Sequence, residues 1–140
     1  MSRILGVDLG SRRIGLALSD PSGTLASPFE VLPRSGDRKQ DHKRIIKAAV
    51  DNEADRIVVG LPRSLSGKPG PAEKATLEEV EELKARAPEG VTIDLYDERF
   101  TTVIAQRSLV ESGMRRDARK EVVDKVAAAV MLQSYLESKA

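Results

Sequence analysis

Ile4-Leu5-Gly6-Val7-Asp8-Leu9-Gly10-Ser11-Arg12-Arg13-Ile14-Gly15-Leu16-Ala17-Leu18-Ser19-Asp20 sets two short apolar runs on either side of a polar turn. The first run, Ile4 to Leu9, is apolar on both alternating faces, the pattern of a central strand covered by helices on each side. Asp8 interrupts it. A carboxylate near the end of a buried strand loses much of its hydration, which costs several kcal/mol unless a metal, a cation or hydrogen-bond donors replace the water. Two readings follow: Asp8 belongs to a functional site, or it caps the turn and pairs with Arg12 or Arg13. Gly6 and Gly15 lack side chains where β-branched residues are expected, which points to close backbone approach or a bulge.

Working outward, Ile14 to Ser19 forms a second strand and Asp20-Pro21-Ser22-Gly23 a turn into a third, Thr24 to Leu32, so the chain opens as an antiparallel meander. Pro28 removes a ladder donor and puts the third strand at the sheet edge. Ser35-Gly36-Asp37 opens a helix to about Asn52, with Ile45, Ile46, Ala49 and Val50 at helical spacing and His42 on the same side as a packing residue. Arg56 to Gly60 is a short buried strand. The strand–helix–strand order requires a right-handed crossover and favours parallel pairing with the first strand.

Leu61 to Pro71, rich in Pro and Gly, leaves the C-terminal end of that parallel strand, where α/β sheets place ligands, and offers Arg63, Ser64, Ser66 and Lys68 to phosphates. A helix from Ala72 to about Ala87 carries Ala72, Thr76, Val80, Leu83 and Ala87 on one face and glutamates on the other. Val91, Ile93 and Leu95 alternate with Thr92, Asp94 and Tyr96 in a strand toward an edge. Asp97-Glu98-Arg99-Phe100-Thr101-Thr102 ends it, with Thr101 or Thr102 capping a helix to about Ser112. The closing helix, Asp117 to Glu137, is apolar nearly all round between Val126 and Leu132 and is therefore buried. Asp124 breaks its pattern, one turn ahead of Ala128, with Lys120 and Lys125 as ion-pair alternatives.

The 140 residues suit one domain, 1–140, with its own core. With no cysteine and a single histidine, His42, the chain has no disulfide, thiolate nucleophile or Cys/His zinc centre to offer. Catalysis must rest on carboxylates, hydroxyls, Lys or Arg. An N-terminus that runs straight into a strand, and the lack of a long apolar run, lead us to expect a cytoplasmic protein that engages no membrane. The net charge is only +1. Yet Arg34, Arg38, Lys39, Lys43, Arg44 and Lys47 form one basic block, Arg115, Arg116, Arg119 and Lys120 a second, and Glu78, Glu79, Glu81 and Glu82 an acidic run, a segregation that permits a basic face. Aromatic residues are 3% of the chain, so nucleic acid would be held by phosphate and shape rather than by base stacking.

Asp8, Glu98 and Asp124 are the three acids that fit poorly into their elements. An oxygen-only cluster suits Mg²⁺ or Mn²⁺, and two such ions support phosphodiester hydrolysis without His or Cys. Val7-Asp8-Leu9-Gly10 with Arg13-Ile14-Gly15-Leu16-Ala17, Val58-Val59-Gly60-Leu61-Pro62, the Asp97-Glu98-Arg99 motif and the Asp124 helix together resemble the YqgF/RuvX family of the ribonuclease H-like superfamily, described as Holliday junction resolvases and pre-16S rRNA nucleases. The resemblance spans nearly the whole chain. It implies an α/β, ribonuclease H-like fold with a five-stranded mixed sheet ordered 3-2-1-4-5, and Asp8, Glu98 and Asp124 as the acidic triad. Arg63-Ser64-Leu65-Ser66-Gly67 departs from the Asn-containing stretch usual in the family.

The expected activity is that of a hydrolase: a metal-dependent endonuclease acting on structured nucleic acid, precursor rRNA or branched DNA, as a monomer or homodimer. Arg12, Arg13, Arg63, Lys68, Arg99, Arg115 and Arg116 are the expected phosphate contacts. Two rivals share features of the sequence. An Asp-x-Gly strand followed by a hairpin is also the phosphate loop of actin-like and sugar-kinase ATPases, although these clasp a nucleotide between two lobes. A non-catalytic nucleic-acid-binding module would keep the fold without the chemistry.

Overall fold

The computed structural model describes residues 2–62, 70–98 and 116–139, with residues 116–125 described by their helical backbone alone. Its elements run β1 (Arg3–Leu9), β2 (Arg13–Ser19), β3 (Ala26–Pro33), α1 (Arg38–Asp51), β4 (Ala54–Leu61), α2 (Pro71–Arg86), β5 (Thr92–Asp97) and α3 (Arg116–Ser138). One sheet has the order β3-β2-β1-β4-β5. β1, β2 and β3 pair antiparallel, while β4 pairs parallel to both β1 and β5, so the meander and the parallel pairing of the fourth strand with the first are as expected. The third strand starts at Ala26 rather than Thr24, because Asp20 holds the preceding turn. Its carboxylate accepts from the Ser22 hydroxyl, from the Leu25 amide and from the hydroxyl and amide of Thr24, which together keep it well below the usual carboxylate range.

Edge position and irregularity coincide in β3. Leu16 pairs with Glu30 but Ala17 pairs with Pro28, so Phe29 is an extra residue, and the ladder bulges beside the proline that cannot donate to it.

Strand alternation sends Leu5, Val7, Leu9, Ile14, Leu16, Ile57 and Val59 to one face, where they pack with Ile45 and Ala49 of α1 and Val80 and Leu83 of α2. The opposite face, with Ala17 and Val58, lies under Ala127, Ala128, Met131, Leu132 and Tyr135 of α3. Small residues bring this helix very close. A Cβ on Gly6 would stand 2.9 Å from Leu132 Cβ and 3.4 Å from the Ala128 carbonyl, so Gly6 is the close approach its sequence context suggested. Polar clasps fix the helix at both sides of the sheet. Gln133 accepts from the Ala26 amide at 2.8 Å and donates to the Thr24 carbonyl at 3.0 Å. Tyr135 accepts from Arg56 at 2.8 Å and donates to Asp94 at 3.0 Å, with its ring edge-on to Tyr96 at 5.8 Å. Among the described residues no helix is long and apolar enough to cross a membrane.

The α1–α2 layer corrects the charge reading. Asp37 caps α1 through the Lys39 amide at 3.0 Å, a contact worth about 1 kcal/mol in such positions. The basic block that follows is largely spent on acids. Arg34 forks onto Glu79 at 2.6 and 2.9 Å, Arg38 pairs with Glu82, Arg44 with Asp41 at 3.5 Å and Lys47 with Asp51 at 2.6 Å. Arg34 and Arg38 are thus partners of α2 acids, while Arg44 and Lys47 pair within α1; the second basic block, Arg115, Arg116, Arg119 and Lys120, lies outside the described side chains. Nor are the α2 glutamates all outward. Glu73 and Glu79 are buried, the latter because a guanidinium from the end of β3 and His42 of α1 meet it there. His42 is fully buried as expected, yet it is a hydrogen-bonding residue as well as a packing one.

Candidate active site

The C-terminal ends of β1, β4 and β5 lie side by side, and the parallel register sets the site. Val7 pairs with Val59 and Gly60 with Tyr96, so Asp8 follows on beside Gly60, and Glu98 comes two residues after the Gly60 partner. Alternation puts Asp8 on the face of Gly6, and Gly60 on the face of Val58, which is the side α3 covers. Glu98 reaches into the same row. A Cβ on Gly60 would stand 2.5 Å from Glu98 Oε1 and 3.1 Å from its Cδ, so the carboxylate occupies the space that the missing side chain leaves. Oε1 is sealed from solvent, and Asp8 is 9% exposed. Two of the three singled-out acids thus end adjacent to a glycine on the middle strand.

The third acid is positioned by helix direction. Leu132 lies against Gly6, while Tyr135 and Leu136 share a cleft with Ile4, so α3 runs antiparallel to β1 and its earlier turns advance toward Asp8. Asp124 sits in this helix one turn ahead of Ala128. Its side chain, like that of Arg116, is outside the described residues, as are Arg63, Lys68, Arg99 and Arg115, and the expected helix from Thr101 to Ser112. Among the described residues no group of three acidic or histidine side chains is assembled that could hold an ion. The donor chemistry of Asp8 and Glu98, carboxylate oxygens at one strand-end row, nonetheless fits a hard divalent cation.

Of the expected phosphate contacts, Arg12 is exposed in the β1–β2 turn, and Arg13 is half-buried at the start of β2. The glycine at position 60 was missed as a site residue by sequence reasoning. Its signal was present: a glycine in a run of buried β-branched residues, the same feature that singled out Gly6.

The RuvX family model, described as Holliday junction resolvase, matches residues 2–138. The chain belongs to the RuvX family. Among curated relatives it is 40% identical over 137 residues to a "Putative pre-16S rRNA nuclease" of Listeria monocytogenes, covering 97% of this chain and 98% of that one. A protein of the same name from Thermoanaerobacter pseudethanolicus is 44% identical over 137 residues, covering 97% and 96% of the two chains. Among solved structures, Thermus thermophilus RuvC in complex with a Holliday junction substrate aligns over 100% of this chain and 98% of that one, with a TM-score of 0.59 at 16% identity. The yeast mitochondrial Holliday junction resolvase Ydc2 aligns over 96% and 78%, with a TM-score of 0.54 at 12% identity. At such identities the likeness is one of fold, and the fold is the ribonuclease H-like one.

Proposed function

We infer that this RuvX-family chain is a divalent-cation-dependent endonuclease that hydrolyses phosphodiester bonds in precursor 16S rRNA, in the cytoplasm where ribosomes mature. The observation that carries the reading is the row Asp8, Gly60 and Glu98, in which the middle strand gives up a side chain to admit a carboxylate beside a second acid-bearing strand. The names of the curated relatives supply the substrate. In this reading Asp8, Glu98 and Asp124 hold Mg²⁺ or Mn²⁺, two ions in all. Bound there, such ions supply Lewis acidity to water and to the departing oxygen of a phosphodiester. The carboxylates fix the attack geometry, and before any cation binds they repel the phosphate backbone, so the substrate depends on the cations for entry. Arg12 and Arg13, in the turn that follows Asp8, draw flanking phosphates, with Arg63, Lys68, Arg99, Arg115 and Arg116 extending the contact; these hold backbone and not sequence. Trimming one strand at one bond needs a single site, so a monomer suffices, whereas symmetric junction cleavage needs two.

The test sets a precursor 16S rRNA transcript and a four-way DNA junction side by side with Mn²⁺, Mg²⁺ or EDTA. Cutting of the transcript with either metal, lost in EDTA and in Asp8→Asn, is expected. Full activity in EDTA, or an undiminished Asp8→Asn protein, overturns the metal-nuclease reading; junction cleavage alone transfers the substrate to branched DNA.

A further inference from the structure

The turn that joins Asp8 to Arg12 and Arg13 is tethered from behind. The Gly10 amide donates to the Asp8 carbonyl at 3.1 Å, which makes the chain reverse tightly just after the acid. Arg34 then takes hold of both ends of the reversal. Its amide donates to the Arg12 carbonyl at 2.9 Å, and its Nε donates to the Gly10 carbonyl at 2.9 Å. The two remaining guanidinium nitrogens fork onto Glu79 of α2, whose side chain is 4% exposed. Glu79 Oε2 is in turn 2.8 Å from His42 Nε2, and Arg86 Nη1 is 2.7 Å from His42 Nδ1. Arginine can only donate, so Nδ1 accepts and Nε2–H donates to Glu79. The result is a continuous network through the α1–α2 layer to the back of the turn, in which Arg86 donates to His42, His42 donates to Glu79, and Arg34 donates to both Glu79 and the Gly10 carbonyl.

This network lies on the side of the sheet away from the Asp8 carboxylate. It therefore faces away from any cation held by Asp8, yet the backbone it grips carries Asp8 at one end and the two arginines at the other. Arginine is required for the task. Only a planar guanidinium can bind a carboxylate with two nitrogens and a carbonyl with a third, and lysine at this position keeps the charge but loses the fork.

We propose that Arg34, locked by Glu79, is a positioning residue: it fixes the β1–β2 turn so that Asp8 and the phosphate-holding arginines are preorganised for catalysis. Its catalytic consequence rests on the nuclease reading above. Outer partners of this kind are generally worth about 10–100-fold in metal affinity or activity.

The experiment compares Arg34→Lys with the wild type by amide hydrogen exchange, cleavage kinetics and melting. Exchange at the amides of Gly10 and of position 34, which close the turn by donating to the Asp8 and Arg12 carbonyls, should speed up at least about tenfold. kcat should fall about 10–100-fold through Asp8, and KM should rise because the same turn carries Arg12 and Arg13. Two controls separate positioning from mere stability. Leu83→Ala, which thins the core under α2, should lower Tm yet leave kcat of the folded protein within about twofold of wild type. Arg34→Met/Glu79→Gln removes both charges and keeps an acceptor for His42, so it should recover Tm without recovering kcat. Unchanged exchange at the turn in Arg34→Lys, or recovery of kcat along with Tm in the double variant, overturns the proposal. If the wild type cuts no substrate, the nuclease reading falls, and the exchange measurement alone decides the tether.

Discussion

Gly60→Ala asks the site to accommodate one methyl group. The added carbon would stand 2.5 Å from Glu98 Oε1, where ordinary contact begins near 3.4 Å, so something must move by about 0.9 Å. The strands cannot yield. Gly60 is paired with Tyr96 in the parallel ladder, and its neighbours Val58 and Val59 are fully buried. The Glu98 carboxylate is the movable end, and turning it aside forces an unfavourable rotamer at a cost of about 0.5–1.5 kcal/mol. Stability should therefore fall by about 1 kcal/mol, while a ligand misplaced by close to 1 Å costs a catalytic site about 100-fold. Calorimetric melting, Mn²⁺ titration and cleavage kinetics on one preparation measure all three quantities. The expected result is a nearly wild-type Tm with weakened Mn²⁺ binding and kcat/KM down about 100-fold. A Gly60→Ala protein that binds Mn²⁺ and cleaves within twofold of wild type would refute Glu98 as a ligand-bearing residue at this position.

Gly6→Ala should behave in the opposite way, because its methyl meets Leu132 Cβ at 2.9 Å rather than a flexible tip; overpacking of this kind costs about 1–3 kcal/mol, read as a lowered denaturant midpoint. Glu79→Gln tests the buried pair through pH. Burial pushes the Glu79 carboxyl up, but hydrogen bonds and charge from Arg34 and His42 outweigh it and hold the folded value below the ordinary 4.5. Its contribution is thus present above pH 4.5 and lost as pH falls through the lower folded value, so the variant should be less stable by about 1–3 kcal/mol at neutral pH, with the gap closing in acid. Arg12→Ala, at an exposed turn position, should weaken nucleic-acid binding for all sequences and flatten the log–log salt dependence by about one unit; an unchanged slope removes Arg12 from the contact.

The antiparallel meander and the parallel pairing of β4 with β1 could be read from the chain, because turn signals separate short alternating runs and a helix lies between β3 and β4, whereas the full order 3-2-1-4-5 came from the family resemblance. Asp8 and Glu98 were likewise visible as acids at strand ends, since each violates the pattern of its own segment. Glu79 violates nothing locally. It sits in a run of glutamates on an amphipathic helix, and only the arrival of Arg34, 45 positions earlier, turns it inward. His42 and the paired basic block were hidden for the same reason: which charges neutralise one another is decided by helix docking, not by spacing along the chain. The Gly60 cradle needed the register between β4 and β5, which no single segment contains.

Helix α3 is the last element in chain order, and it is the one that roofs the acid-bearing face of the sheet. During synthesis the chain folds from its N-terminal end. β1 to β5 and the α1–α2 layer can pair and pack while the sheet face bearing Gly6, Ala17 and Val58 is still uncovered, because Ala128, Met131 and Leu132, which close over it, come later in the chain. In the proposed reading, where Asp124 of this helix joins Asp8 and Glu98, the site is complete only once α3 has docked on the sheet.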